Sequence, residues 1–125
     1  MSIEELLNIA KKYIKNCYSP YSKIRIVSVL ETIDGEIHVG VNIENASYGL
    51  TICAERVAIF KAVSEGKRKF KRILIYSPDV LPYPCGACRQ VMAEFFDGKE
   101  KVIVANDEEI REHNFEELLP FFFKI

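Results

Sequence analysis

Four side chains in this chain could carry out a hydrolysis together. Cys53 and Glu55 stand two apart in Cys53-Ala54-Glu55-Arg56, and Cys85 and Cys88 stand three apart in Pro84-Cys85-Gly86-Ala87-Cys88. Three thiolates can occupy three corners of a tetrahedral zinc site and leave the fourth to water. Zinc lowers the pKa of such a water. A carboxylate two residues from the first ligand is placed to carry its proton, which assigns Glu55 a shuttle role. A structural zinc site would take four protein ligands and have no use for Glu55. Three thiolates on one Zn²⁺ sum to a negative charge, which weakens acidification of the water. Arg56 is the candidate cation to offset it.

The elements around these residues follow from hydrophobic period and punctuation. Both cysteine clusters open helices, one from Cys53 to Glu65 ending at Gly66, the other from Cys85 to about Phe96. A helix N-terminus favours negative charge, so thiolates are favoured there before any metal arrives. An earlier amphipathic helix is predicted over Ser2 to Cys17, with Ser2 and Glu5 as a capping box. Cys17 falls on its apolar stripe and reads as a small buried residue rather than a ligand. Ser19-Pro20-Tyr21-Ser22 breaks that helix.

The β-branched run Ile24 to Thr32, the Asp34-Gly35 turn and Glu36 to Asn42 predict a hairpin, with His38 exposed on its return strand. The polar stretch Asn42 to Gly49 reads as a loop whose Asn42 and Glu44 could bind sugar hydroxyls. Lys67 to Arg72 reads as a solvated basic connector. Ile73 to Tyr76 and Lys101 to Ala105 read as buried strands. Asn114 with Glu117 could cap a last short helix, with His113 exposed beside it. Strand–helix alternation through the second half predicts parallel strands with crossovers.

Bulk composition narrows the function classes. The 125 residues fit one domain spanning the chain, 1-125, and carry 17 basic against 18 acidic side chains. That balance gives no general attraction to nucleic acid or to anionic membrane. No apolar run is long enough to cross a bilayer, and Met1-Ser2-Ile3-Glu4-Glu5 lacks the positive start of a signal peptide. A cytoplasmic setting is therefore expected, in which clustered thiols favour metal over disulfide.

The metal pattern is that of zinc-dependent nucleobase deaminases. With Ser19-Pro20-Tyr21-Ser22, Asn42 to Thr51, Pro84 to Gln90 and Glu117-Leu118-Leu119-Pro120, the chain from Ser19 to Phe123 resembles the small, homotetrameric cytidine deaminases. The resemblance implies hydrolysis of cytidine and deoxycytidine to uridine and deoxyuridine in pyrimidine salvage, with one Zn²⁺ per subunit on Cys53, Cys85 and Cys88. Glu55 would shuttle protons, and Arg56 would hydrogen-bond the ligand thiolates. Asn42 and Glu44 would hold the ribose 3′-OH, with Asn45 and Ala54 also in the substrate site. Ala46 and Tyr48 would act near the 5′-OH of a neighbouring subunit's site, and Phe123 would cover another subunit's pyrimidine.

The implied fold is a three-layer α-β-α arrangement, with a mixed five-stranded sheet whose fifth strand falls near Glu109 to Glu112. Ile24 stands where such enzymes usually place a phenylalanine against the base, and Ile26-Val27-Ser28 where they usually have Val-Gly-Ala. Loss of ring stacking at Ile24 bears on affinity and on the choice of base, leaving a modified cytosine nucleoside or cytosine-bearing antibiotic as an alternative substrate. The chain ends two residues after Phe123, which predicts a less ordered lid.

Overall fold

A computed structural model describes residues 1–125. Helix α1 covers Ile3–Tyr13, where the Ser2 hydroxyl accepts from the Glu5 N–H at 3.1 Å and the Glu5 carboxylate accepts from the Ser2 N–H at 3.0 Å. Such a cap contributes about 1 kcal/mol. The helix stops short of the expected Cys17. A 3₁₀ turn at Ile14–Asn16 tightens its end, and Cys17 is extended, with φ −61° and ψ 135°. The chain straightens there because Tyr18 bridges to Ile43. Cys17 is half-buried, and its thiol donates to the Ile26 carbonyl at 3.3 Å.

Five strands form one sheet in the order β2-β1-β3-β4-β5: β1 Val27–Thr32, β2 Ile37–Val41, β3 Phe70–Tyr76, β4 Lys101–Ala105 and β5 Ile110–Asn114. Strand β1 is antiparallel to both β2 and β3, β3 and β4 are parallel, and β5 is antiparallel to β4. Hence β2, β3 and β4 point the same way, as expected of strands joined by helices. Only β3 and β4 are bonded as a parallel pair, because β1 lies between β2 and β3. Helix α2, Ala54–Ser64, links β2 to β3, and α3, Gly86–Phe95, links β3 to β4.

Strand alternation divides the core into two layers. Leu30, Ile73, Ile75, Val102 and Val104 pack with Ala58, Ile59 and Met92 of α2 and α3. Val27, Val29, Leu74 and Ile103 pack with Leu6 and Ala10 of α1 on the other face. This is the expected three-layer α-β-α arrangement.

Four local expectations are corrected. Ile24–Ile26 are not strand, because the Asn42 amide donates to the Ile24 carbonyl at 2.7 Å and its oxygen accepts from the Ile26 N–H at 3.0 Å. Strand β3 begins inside the basic run. Phe70 is buried against Phe95 and Phe96, ring centroids 6.1 and 6.0 Å away, and Arg72 Nε donates to Glu31 Oε1 at 2.6 Å on the paired strand. His38 is buried rather than exposed. It shares a strand face with Gly40 under α2, and its Nδ1 lies 3.4 Å from Glu65 Oε2 just past that helix. His113 is half-buried, with Nε2 2.9 Å from the Tyr83 hydroxyl. The last helix, α4 at Phe115–Leu118, carries the Asn114/Glu117 capping box as read.

Candidate active site

Cys53 and Cys85 are the N-cap residues of α2 and α3, both extended, with ψ 150° and 170°. Cys88 lies one turn into α3 and is fully buried. The crossovers place both helix starts at one edge of the sheet, the usual position for α/β sites. The Cys53 and Cys85 sulfurs are 3.8 Å apart, Cys85 and Cys88 are 3.5 Å apart, and all three lie within 4.8 Å of one another. Tetrahedral zinc with bonds of about 2.3 Å needs sulfurs roughly 3.8 Å apart. The donor set therefore fits the ion without rearrangement.

The electrostatics support thiolate in this cluster. Hydrogen bonding with Cys88 and then with Arg56 pulls the Cys53 thiol down to about 5, against its burial. Cys88 is pushed the other way, first by its bond to Cys53 and then by burial, so ionisation falls mainly on Cys53. Arg56 donates through Nη2 to the Cys53 sulfur at 3.4 Å. Its buried Nε–H has no acceptor.

Glu55 sits on the first turn of α2 and is 4% exposed. Its Oε1 lies 3.4 Å from the Ser28 hydroxyl, a long contact reaching from β1 beneath the helix. Burial, reinforced by the nearby Cys53 charge, pushes its carboxyl up to about 7. A carboxyl in that range can both take and give a proton near neutrality.

Cys53, Cys85 and Glu55 line a cavity of about 240 Å³, together with Ile24, Ile26, Asn42, Glu44 and Tyr83. A hollow of about 280 Å³ adjoins it, sharing Ser22, Glu44 and Thr51 and adding Tyr21 and Tyr48. The cleft thus runs from the thiols past Glu44 to Tyr48. Glu44 accepts from the Tyr21 N–H at 3.0 Å, the Ser22 N–H at 3.1 Å and the Ser22 hydroxyl. These bonds, the Ser22 hydroxyl first, hold its carboxyl below the ordinary range, so it is an anion at neutral pH.

The remaining candidates fall outside this cavity. Ala54 is buried as the first residue of α2. Asn45 is exposed and folds back on its own loop, its side-chain oxygen accepting from the Ser47 N–H at 2.9 Å. Ala46 is exposed, as are Tyr48 and Phe123 at 72% and 68%. Two contributors lay beyond the sequence reading. Ser28 is a hydroxyl set between Val27 and Val29 at the start of β1, and its in–out alternation with them is the available signal. Tyr83 stands between Pro82 and Pro84 in a loop that gave no periodic signal at all.

Comparison with known proteins agrees with the geometry. Residues 1–106 match the family described as the cytidine and deoxycytidylate deaminase zinc-binding region. The cytidine deaminase of Sporosarcina psychrophila is 45% identical over 125 residues, covering 98% of this chain and 92% of that protein. That of Halalkalibacterium halodurans is 45% identical over 125 residues, covering 98% and 95%. A crystal structure of cytidine deaminase from Burkholderia pseudomallei superposes with a TM-score of 0.93 at 38% identity, covering 98% of this chain and 100% of that one. The cysteine triad is accordingly a zinc site. From its five-stranded sheet to its three convergent thiols, the chain belongs to the cytidine and deoxycytidylate deaminase zinc-binding family.

Proposed function

We propose that the protein hydrolyses cytidine and deoxycytidine to uridine and deoxyuridine with release of ammonia, Glu55 being the group that moves protons. The observation that carries this reading is a buried carboxyl, its pKa raised to about 7, in the same cavity as two of the zinc-binding thiols, Cys53 and Cys85. Bound zinc supplies a nucleophilic water at neutral pH. Glu55 takes a proton from the attacking water and delivers it to ring N3, so that electron density leaves C4 for the ring. It then moves the second proton, from the hydroxyl now on C4, to the exocyclic nitrogen, so that the C4–N bond breaks, ammonia leaves and C4 becomes a carbonyl. Ser28 steadies the carboxylate from below through Oε1, and Arg56 offsets the negative charge of the thiolates.

The cleft also favours a nucleoside over a polymer. Glu44 lines the cavity as an anion, its oxygens held by Tyr21 and Ser22 of the turn after α1. A ribose hydroxyl can donate to it, whereas a 3′-phosphate would be repelled. Asn42 keeps a second amide N–H beyond the one given to Ile24, available to the same sugar edge. Four chains assemble in this reading with Ala46, Tyr48 and Phe123 serving neighbouring sites, which is supported by Tyr48 and Phe123 being exposed and lining no part of the cavity that holds Glu55 in their own chain.

The test is ultraviolet loss of cytidine with zinc-loaded protein. Glu55→Ala is expected to keep its zinc and its fold while turnover falls by about 10²–10⁴. Undiminished turnover in that variant would remove the mechanism. Measuring kcat/KM on a cytosine-bearing antibiotic beside cytidine tests whether Ile24 on the cavity wall has altered the choice of base.

A further inference from the structure

Tyr83 is the only aromatic residue among those lining the cavity of Glu55 and Cys85. It stands between Pro82 and Pro84. Proline fixes its own φ and confines the residue before it to extended conformations, so the backbone at Tyr83 is held from both sides. The far end of the ring is held as well. Its hydroxyl lies 2.9 Å from His113 Nε2, with ring centroids 5.5 Å apart and tilted by 52°. His113 belongs to β5 and pairs with Val102 of β4, so the tether reaches the sheet itself. Neither residue is hydrogen-bonded to Glu55 or to the three thiols.

A planar ring fixed at both ends has little freedom left to lose when a flat ligand packs against it, and affinity follows from such preorganisation. The other apolar walls, Ile24, Ile26 and Ile52, offer no π-face. We propose that Tyr83, tethered by His113, is the aromatic wall against which the substrate's pyrimidine packs, and that this pair sets nucleoside affinity rather than the rate of the chemical step. The proposal rests on the nucleoside-deaminase reading above.

Steady-state kinetics on cytidine and calorimetric binding of uridine test it, using zinc-loaded wild type, Tyr83→Leu, Tyr83→Phe, His113→Ala and the Tyr83→Phe/His113→Ala double variant. Losing the π-face in Tyr83→Leu is expected to raise both KM and the uridine Kd about tenfold, with kcat changed by less than about twofold. Tyr83→Phe keeps the ring and its volume but cuts the tether. It and His113→Ala are each expected to raise KM about two- to threefold, and the double variant no further than Tyr83→Phe, because His113 acts through the hydroxyl that Tyr83→Phe removes. Unchanged KM and Kd in Tyr83→Leu, or a loss confined to kcat, would overturn the wall. Multiplying effects in the double variant would overturn the tether. A wild-type protein that turns over no cytidine overturns the deaminase reading and this proposal with it, whereas wild-type turnover with insensitive variants overturns the proposal alone.

Discussion

Burying Glu55 destabilises the protein wherever that carboxyl must ionise without a cation nearby. Its pKa rises from an ordinary 4.5 to about 7, chiefly through burial. An acid with a raised folded-state pKa stabilises fully below its unfolded pKa, and that contribution is lost as pH rises through the folded value. Across this shift the loss is on the order of 3 kcal/mol. Chelator-treated protein should therefore lose stability between about pH 5 and pH 8 relative to Glu55→Gln, with urea midpoints as the readout. Zinc loading should shrink the difference, because the cation favours the ionised carboxylate. Parallel pH curves for the two metal-free proteins would show that the carboxyl is not strained by its site. At this scale the sequence was most informative where chemistry dictates spacing. Cys53, Glu55, Cys85 and Cys88 are set by one helix turn and two helix starts. Ser28 and Tyr83 were hidden because their roles depend on which strand lies beneath α2 and which loop closes over it.

Helix α2 owes its position to a residue with no side chain. Gly40 on β2 faces it so closely that an added Cβ would lie 2.3 Å from the Ala54 carbonyl oxygen and 2.5 Å from the Ala58 nitrogen. Both are backbone atoms, so the helix itself would have to move. Because α2 carries Cys53 at its cap and Glu55 in its first turn, the displacement would be passed directly to the site. Gly40→Ala should cost about 1–3 kcal/mol in denaturant unfolding and lower kcat more than it raises KM. A variant with native stability and native turnover would show that the helix can shift freely.

Some elements are legible in the local sequence and others are not, for reasons that are physical. Asp34-Gly35 announced the hairpin because its turn needs a positive φ, observed as 87° at Gly35. The start of β3 was masked because Lys71 and Arg72 look like solvent-facing cations, whereas Arg72 lies across from Glu31 within the sheet. Insertion of β1 between β2 and β3 is a non-local choice of partner. Local periodicity carries no record of it.

Across the whole molecule, Tyr48 and Phe123 are large aromatic side chains left projecting from the single chain. They are 72% and 68% exposed, and neither lines the cavity that holds Glu55 in the same chain. Large aromatic side chains left so exposed suit an interface between copies. If four chains assemble, sedimentation should give a mass four times the 14.4 kDa of one chain. Sharing of sites can then be separated from mere assembly with two individually impaired proteins. Phe123→Ala keeps its own Glu55 but lacks the aromatic cover, while Glu55→Gln keeps the cover but lacks the proton carrier. If Phe123 acts on a neighbour's site, co-expressed hybrids contain sites in which an intact Glu55 from one chain meets an intact Phe123 from the other. Activity per hybrid should then exceed the average of the two parent proteins. If Phe123 folds over its own cavity, no hybrid site is whole, and activity should follow the simple average of the parents at every mixing ratio.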